Sequence, residues 1–166
     1  YCRVKMPQIT TKDLIKKDIS VGLGGYVAEK LIFGEELLSA GSCKDIEMVT
    51  QRAIAYVKTY GMTGFPILVG LESDKMNDSH HFDHESSDRE VKKLVDGCLK
   101  TTERIIKKNK TLLLKLSEYL SENSIMDKNL IATFVEKYAI NPTEIKNSDT
   151  YYEFKNILQE QLKKIK

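Results

Sequence analysis

No run of apolar residues in this 166-residue chain is long enough to cross a bilayer. The most apolar stretch, Val21 to Phe33, is interrupted by Gly22, Gly24, Gly25, Glu29 and Lys30. Nor is there an excess of charge of one sign: 26 basic side chains stand against 24 acidic ones, for a net charge of +2. That balance removes the broad cationic surface that nucleic-acid binding needs, and no local basic patch stands out. Cysteine is scarce. Cys2, Cys43 and Cys98 are odd in number and lack a CxxC spacing, which argues against a disulfide scaffold and for a reducing compartment. The chain has no internal repeat and no low-complexity tract, and it opens Tyr1-Cys2-Arg3 with neither a methionine nor a signal peptide. It is therefore expected to be a piece of a longer polypeptide, with one domain's worth of residues and enough of them for a real core.

What is present is helical periodicity, and the fold class expected is mainly α. From Thr11 to Phe33 the residues Leu14, Ile15, Ile19, Leu23, Val27, Leu31 and Ile32 recur at helical steps, with Thr10 or Thr11 as N-cap and Gly34 as the stop. The second half of this helix is apolar nearly all round and should be largely buried. Each of its mid-helix glycines costs about 1 kcal/mol relative to alanine, so another element should pack closely against them. After a loop, Glu35 to Gly41, a second helix over 43–60 carries Ile46, Val49, Ala53, Val57 and Tyr60 as its stripe, with Ile54 and Tyr56 on its flanks and Gly61 as the left-handed stop. Residues 62–87 hold Gly64, Pro66, Gly70 and three histidines, and at most a short β segment near 67–71.

Helices resume over 87–108, with Ser87 and Glu90 spaced as a capping box, then over 111–122 after Asn109, and over 127–138 with Asp127 as N-cap. The last of these should bury Leu130, Ile131, Phe134, Val135 and Tyr138. The domain is expected to run over 1–139, ending in a helical bundle. Residues 140–166 read as a polar linker and a C-terminal amphipathic helix.

Two groups of residues draw attention as chemistry. His80, His81, Asp83, His84 and Glu85 crowd together, and zinc favours imidazole with carboxylate. Their spacing does not match the zinc-protease helix, and the flanking Ser79, Ser86 and Ser87 make a solvated polar loop the preferred reading. Asp45 falls in the first turn of the second helix, where the helix dipole favours a carboxylate by about 0.3–1 kcal/mol. Capping explains it without function, and a carboxylate fixed there can equally reach a metal. Cys43 reads as a small buried residue, and Tyr60, Tyr119 and Tyr138 as core or boundary residues.

The segment Leu23-Gly24-Gly25-Tyr26-Val27-Ala28-Glu29-Lys30-Leu31-Ile32-Phe33-Gly34-Glu35 resembles the LGGRxAEExIFGE segment of the FtsH family, membrane-anchored AAA proteases of peptidase family M41 that use zinc. Gly41-Ser42-Cys43-Lys44-Asp45-Ile46-Glu47-Met48-Val49-Thr50 is similar to its GASNDLxxAT segment, and Tyr60-Gly61-Met62-Thr63 to its YGMS. Ile9 to Leu14 upstream and the helices through Ala139 follow in the same order, so the resemblance covers about four fifths of the chain.

The resemblance implies the C-terminal part of an ATP-dependent zinc endopeptidase that degrades unfolded or membrane proteins in a homo- or hetero-hexameric ring. Zinc is held in that family by two histidines of an HExxH helix and the aspartate that aligns with Asp45, and the glutamate of HExxH is the general base. ATP and Mg2+ belong to a preceding ATPase domain, and the membrane to a segment further upstream. The implied location is an organellar inner membrane, mitochondrial by preference, or alternatively a bacterial inner membrane. This sequence contains no HExxH, so the motif is expected upstream, and no catalytic residue is assigned within the chain. The chain alone should be inactive.

Three positions depart from the family's pattern. Tyr26 stands for its arginine, Lys30 for a glutamate and Lys44 for an asparagine, which reverses local charge and places a cation where it can pair with Asp45. Two other readings stay open. One is a catalytically inactive helical assembly module of a hexameric ring; the other is a free-standing helical scaffold whose His80, His81 and His84 bind metal.

Overall fold

The computed structural model describes residues 9–63, 84–140 and 160, and the following statements concern those residues. The described residues from Lys12 to Ile140 fall in one compact unit by their internal contacts. The architecture is mainly α, as expected: α1 (Lys12–Gly22), α2 (Gly24–Phe33), α3 (Cys43–Ile54), α4 (His84–Lys108), α5 (Lys110–Asn123) and α6 (Lys128–Tyr138). No strand occurs among the described residues. The extended run near 67–71 lies outside them, as does the C-terminal amphipathic helix apart from Glu160.

A ridge at four-residue steps organises the core. Ile15, Ile19 and Leu23 are buried against Val49 and Ala53 of α3 and Cys98 of α4, with Val91, Leu94, Val95 and Leu99 packed around them. Val27 continues the same ridge into α2. Small residues let α4 approach α1: the Thr102 hydroxyl donates to the carbonyls of Ser20 at 3.1 Å and Cys98 at 2.9 Å, and the Cys98 thiol donates to the Lys16 carbonyl at 3.7 Å.

The single helix expected over 11–33 is instead two, jointed at Leu23, whose ψ of −9° departs from the helical value. Hydrogen bonding runs through the joint, from Leu23 N–H to the Ile19 carbonyl and from Val27 N–H to the Leu23 carbonyl. The expectation that this stretch is largely buried also fails. Val27 is the buried residue of α2, while Val21 is 80% and Phe33 61% exposed, because only one stripe of an all-round apolar helix can face its neighbours. Of the glycines, Gly22 answers the expectation of close packing: a Cβ there would stand 2.7 Å from Val49 Cγ2. Gly24 and Gly25 have no described atom within 4 Å of theirs. Gly34, with φ of 84°, ends α2 as expected.

The second helix does not keep one phase. Ala55–Thr59 forms a π-turn, in which Tyr60 N–H donates to the Ala55 carbonyl at 2.8 Å. A π-turn holds an extra residue, so the faces shift. Tyr60, expected on the buried stripe, is accordingly about half exposed, whereas Tyr56 is buried rather than flanking because it stands seven residues on from Val49 and three from Ala53, in the same helical stripe. Ile46 is also more exposed than its place on the stripe implies. Gly61 takes the left-handed conformation, with φ of 56°, and stops the segment as expected.

α4 begins at His84, so Ser87 lies a turn inside it and is buried, and the Ser87/Glu90 capping box does not form the helix start. Asn109 separates α4 from α5 as expected. Its Nδ2 donates to the Ile105 carbonyl at 2.9 Å, and its Oδ1 accepts from Ile140 N–H at 2.8 Å, which ties the end of α6 to the joint. Asp127 caps α6, accepting from Leu130 N–H at 2.8 Å. Tyr119 meets Phe134 edge-on at 5.7 Å, and Phe134 meets Tyr138 at 5.7 Å. Leu130, Phe134, Val135 and Tyr138 are half-buried and Ile131 is exposed, not the buried set expected, because a two-helix hairpin shields only its mutual face.

Candidate metal centre

Asp45 sits in the first turn of α3, and two local features decide how it is presented. The first is Gly22. Because α1 ends without a side chain there, α3 lies directly against it; a Cβ on Gly22 would also stand 3.8 Å from the Asp45 carbonyl oxygen. The second is the connection from α2 to α3. Two short 3₁₀ turns, Glu35–Leu37 and Ala40–Ser42, span it, and the second runs directly into Cys43.

Glu29 of α2 holds this connection. Its Oε2 accepts from Ser39 N–H at 3.0 Å and its Oε1 from the Ser39 hydroxyl at 2.9 Å, while Ser39 Oγ accepts from Gly41 N–H at 3.1 Å. Nothing in the periodicity reading singled out Glu29. The available signal was the sole acidic residue of a mostly apolar helix. Nearby, Lys30 pairs with Glu35 at 3.2 Å, and that hydrogen bond and charge raise the Lys30 pKa.

The Asp45 side chain is exposed and makes neither a hydrogen bond nor an ion pair with any described residue. Lys44 does not pair with it, so the neutralisation that the sequence allowed does not occur. Asp45 also makes no side-chain cap; Ser42 occupies the N-cap position, likewise without a side-chain cap bond. Cys43 is exposed rather than buried, being held at the helix start and away from the core.

The histidine cluster is not assembled among the described residues. His80, His81, Asp83 and the side chain of His84 lie outside them. From His84 onward the backbone is helical, not loop, and Glu85 pairs with Arg89 at 3.0 Å in the ordinary i, i+4 manner. A cleft of about 920 Å³ lies between α1, the π-turn and α4, with Tyr56, Leu94 and Cys98 among its walls and Lys12 and Lys16 at its edge. Burial raises the pKa of the Cys98 thiol there.

A catalytic zinc ion takes three protein ligands and keeps one open position. No group of three such side chains occurs among the described residues. The unpartnered Asp45 carboxylate fits one place in such a set, and only one.

These features define the class: a helical domain that presents one unengaged carboxylate at a helix start. Residues 4–134 match the family model described as Peptidase family M41, and the chain belongs to that family. It is 31% identical over 135 residues to an ATP-dependent zinc metalloprotease FtsH of Karelsulcia muelleri, covering 78% of this chain and 22% of that protein. Similar matches are proteins of the same name from Rickettsia bellii, 31% identical over 79% of this chain and 22% of the relative, and from Rubrobacter xylanophilus, 32% identical over 74% and 20%. The chain thus spans about a fifth of the length of these curated relatives.

Proposed function

We propose that this chain is the C-terminal part of the peptidase domain of an ATP-dependent zinc endopeptidase, with Asp45 as the third zinc ligand. The observation that carries the reading is the state of Asp45: an exposed carboxylate, set at a helix start by close helix packing, with no partner of its own. A carboxylate spent on capping or on Lys44 would not be available to a metal. When bound, zinc lowers the pKa of a coordinated water so that hydroxide forms near neutral pH. Asp45 supplies a hard oxygen and a negative charge beside two neutral imidazoles, which belong, with the general-base glutamate, to an HExxH helix outside this chain.

The substrates in this reading are unfolded or membrane proteins, delivered by an ATPase domain that binds ATP and Mg2+. The working assembly is a homo- or hetero-hexamer at an organellar inner membrane, mitochondrial by preference, or at a bacterial inner membrane. No described helix is long and apolar enough to cross a membrane.

The test is metal content and proteolysis in the full-length protein. Asp45→Ala should lower the zinc-to-protein ratio and abolish casein hydrolysis. Unchanged stoichiometry and hydrolysis would overturn the assignment, and a full-length protein without bound zinc or hydrolysis would favour the inactive assembly module. Residues 1–166 alone should hydrolyse nothing.

A further inference from the structure

We propose that Glu29 is the positioning residue for Asp45, a clamp that sets the angle at which the chain enters α3. The inference rests on the assignment of Asp45 as a metal ligand. Glu29 is the sole acidic residue of α2, and it is half-buried. Both of its carboxylate oxygens are engaged by one residue ten positions on, Oε2 with the Ser39 N–H and Oε1 with the Ser39 hydroxyl. Hydrogen bonds to an ionised carboxylate are stronger than neutral ones, and two of them on one residue fix its orientation as well as its place.

Ser39 passes the constraint forward. It is the N-cap of the turn Ala40–Ser42, its Oγ accepting from Gly41 N–H, and that turn is continuous with α3. Two hydrogen bonds therefore tie α2 to Ser39, and a third passes from Ser39 to the turn that leads into α3. Gly41 closes the node sterically: a Cβ there would stand 3.1 Å from Ser39 Oγ and 3.8 Å from Glu29 Oε1. A larger residue at 41 would require the serine hydroxyl to give way slightly.

The two carboxylates hold opposite states. Glu29 has both oxygens committed within the chain, and Asp45 has none. The bonds to Ser39 hold the Glu29 carboxylate on the connection, whereas Asp45 is free to turn toward a metal with no loss of internal bonds. That difference separates the positioning residue from the ligand.

The experiment uses the full-length protein loaded with zinc, with two measurements: zinc affinity by competition with a chelating dye, and hydrogen exchange at the Ser39 and Gly41 amides. Removal of a group that orients a metal ligand typically costs about 10- to 100-fold in affinity. Glu29→Ala should weaken zinc binding by about 10-fold or more and speed exchange at both amides. Glu29→Gln keeps an acceptor for Ser39 N–H and should restore most of the affinity. Ser39→Ala, which leaves Glu29 in place, should speed exchange at Gly41 and weaken zinc binding less than Glu29→Ala, and it serves if Glu29→Ala does not fold. Asp45→Ala is measured alongside.

If Asp45→Ala weakens zinc binding while Glu29→Ala leaves affinity and exchange unchanged, the positioning role is overturned and the ligand assignment stands. If Glu29→Gln loses as much affinity as Asp45→Ala, Glu29 is a ligand and the proposal fails. If Asp45→Ala leaves affinity unchanged, the ligand assignment fails and the proposal with it.

Discussion

Gly22 and Val49 touch with no space for a single added carbon: a Cβ on Gly22 would stand 2.7 Å from Val49 Cγ2. Val49 is buried in the core, so it has little freedom to withdraw. This contact is what lets α3, and Asp45 at its start, lie against the end of α1.

Gly22→Ala should therefore destabilise the chain. Overpacking costs about 1–3 kcal/mol, which exceeds the gain of about 1 kcal/mol from replacing a helical glycine. Gly24→Ala, with open space around its Cβ, should instead stabilise by about 0.5–1 kcal/mol. Urea unfolding of the two variants reads the contrast, and a Gly22→Ala chain as stable as the Gly24→Ala chain would refute it.

Asp45→Asn keeps the shape of the side chain and removes its charge. Because the carboxylate has no partner, only its interaction with the start of α3 is lost, about 0.3–1 kcal/mol. Thermal unfolding without added metal should register that small loss. A loss of several kcal/mol would mean that Asp45 serves the fold and is not held in reserve.

The two described cysteines should respond oppositely to alkylation. Cys43 is exposed and should label in the folded chain, whereas Cys98 is 5% exposed and should label only after unfolding. Mass spectrometry of the labelled peptides tests this, and equal labelling rates would contradict the packing of α4 on α1.

Cys98 also carries a pH dependence. Its thiol pKa is raised in the folded state, chiefly because burial disfavours the thiolate. The folded state thus holds its proton over a range in which the unfolded state has released it. The stabilisation is fully present below the unfolded thiol's pKa, about 8.5, and is lost as pH rises through the folded value. Melting temperature should fall more steeply between about pH 8 and 10 in the natural chain than in Cys98→Ala; parallel curves would exclude this contribution.

Asp127→Ala should cost about 1 kcal/mol by removing the α6 cap, since the carboxylate accepts from Leu130 N–H at 2.8 Å. Asp127→Asn, which keeps an acceptor, should recover most of it. Equal losses in the two variants would argue against the capping bond.

Much of the helical frame was legible because its determinants are local. Gly34 and Gly61 adopt the positive φ that their places as stops require, Asp127 caps as its spacing indicates, and Asn109 divides α4 from α5. The ridge of Ile15, Ile19, Leu23 and Val27 follows directly from four-residue steps. The phase of α3 beyond Ile54 was not legible. A fixed 3.6-residue period cannot anticipate a π-turn, and Tyr60, which follows the extra residue, faces outward. Ser87 was misplaced for a related reason: a serine three residues before a glutamate looks alike at a helix start and inside a buried turn.

The candidate site divides along the same line. Family membership and the place of Asp45 in a helix's first turn are properties of short, ordered segments, and the sequence by itself determined them. Which carboxylate is spent and which is free depends on residues brought together by chain reversal, and only the tertiary structure decided it. Glu29 is consumed by Ser39 because the two 3₁₀ turns fold the chain back onto α2. At the start of α3 the chain meets the end of α1 through Gly22, the Val49 side chain and the Asp45 carbonyl, and no described side chain bonds the Asp45 carboxylate.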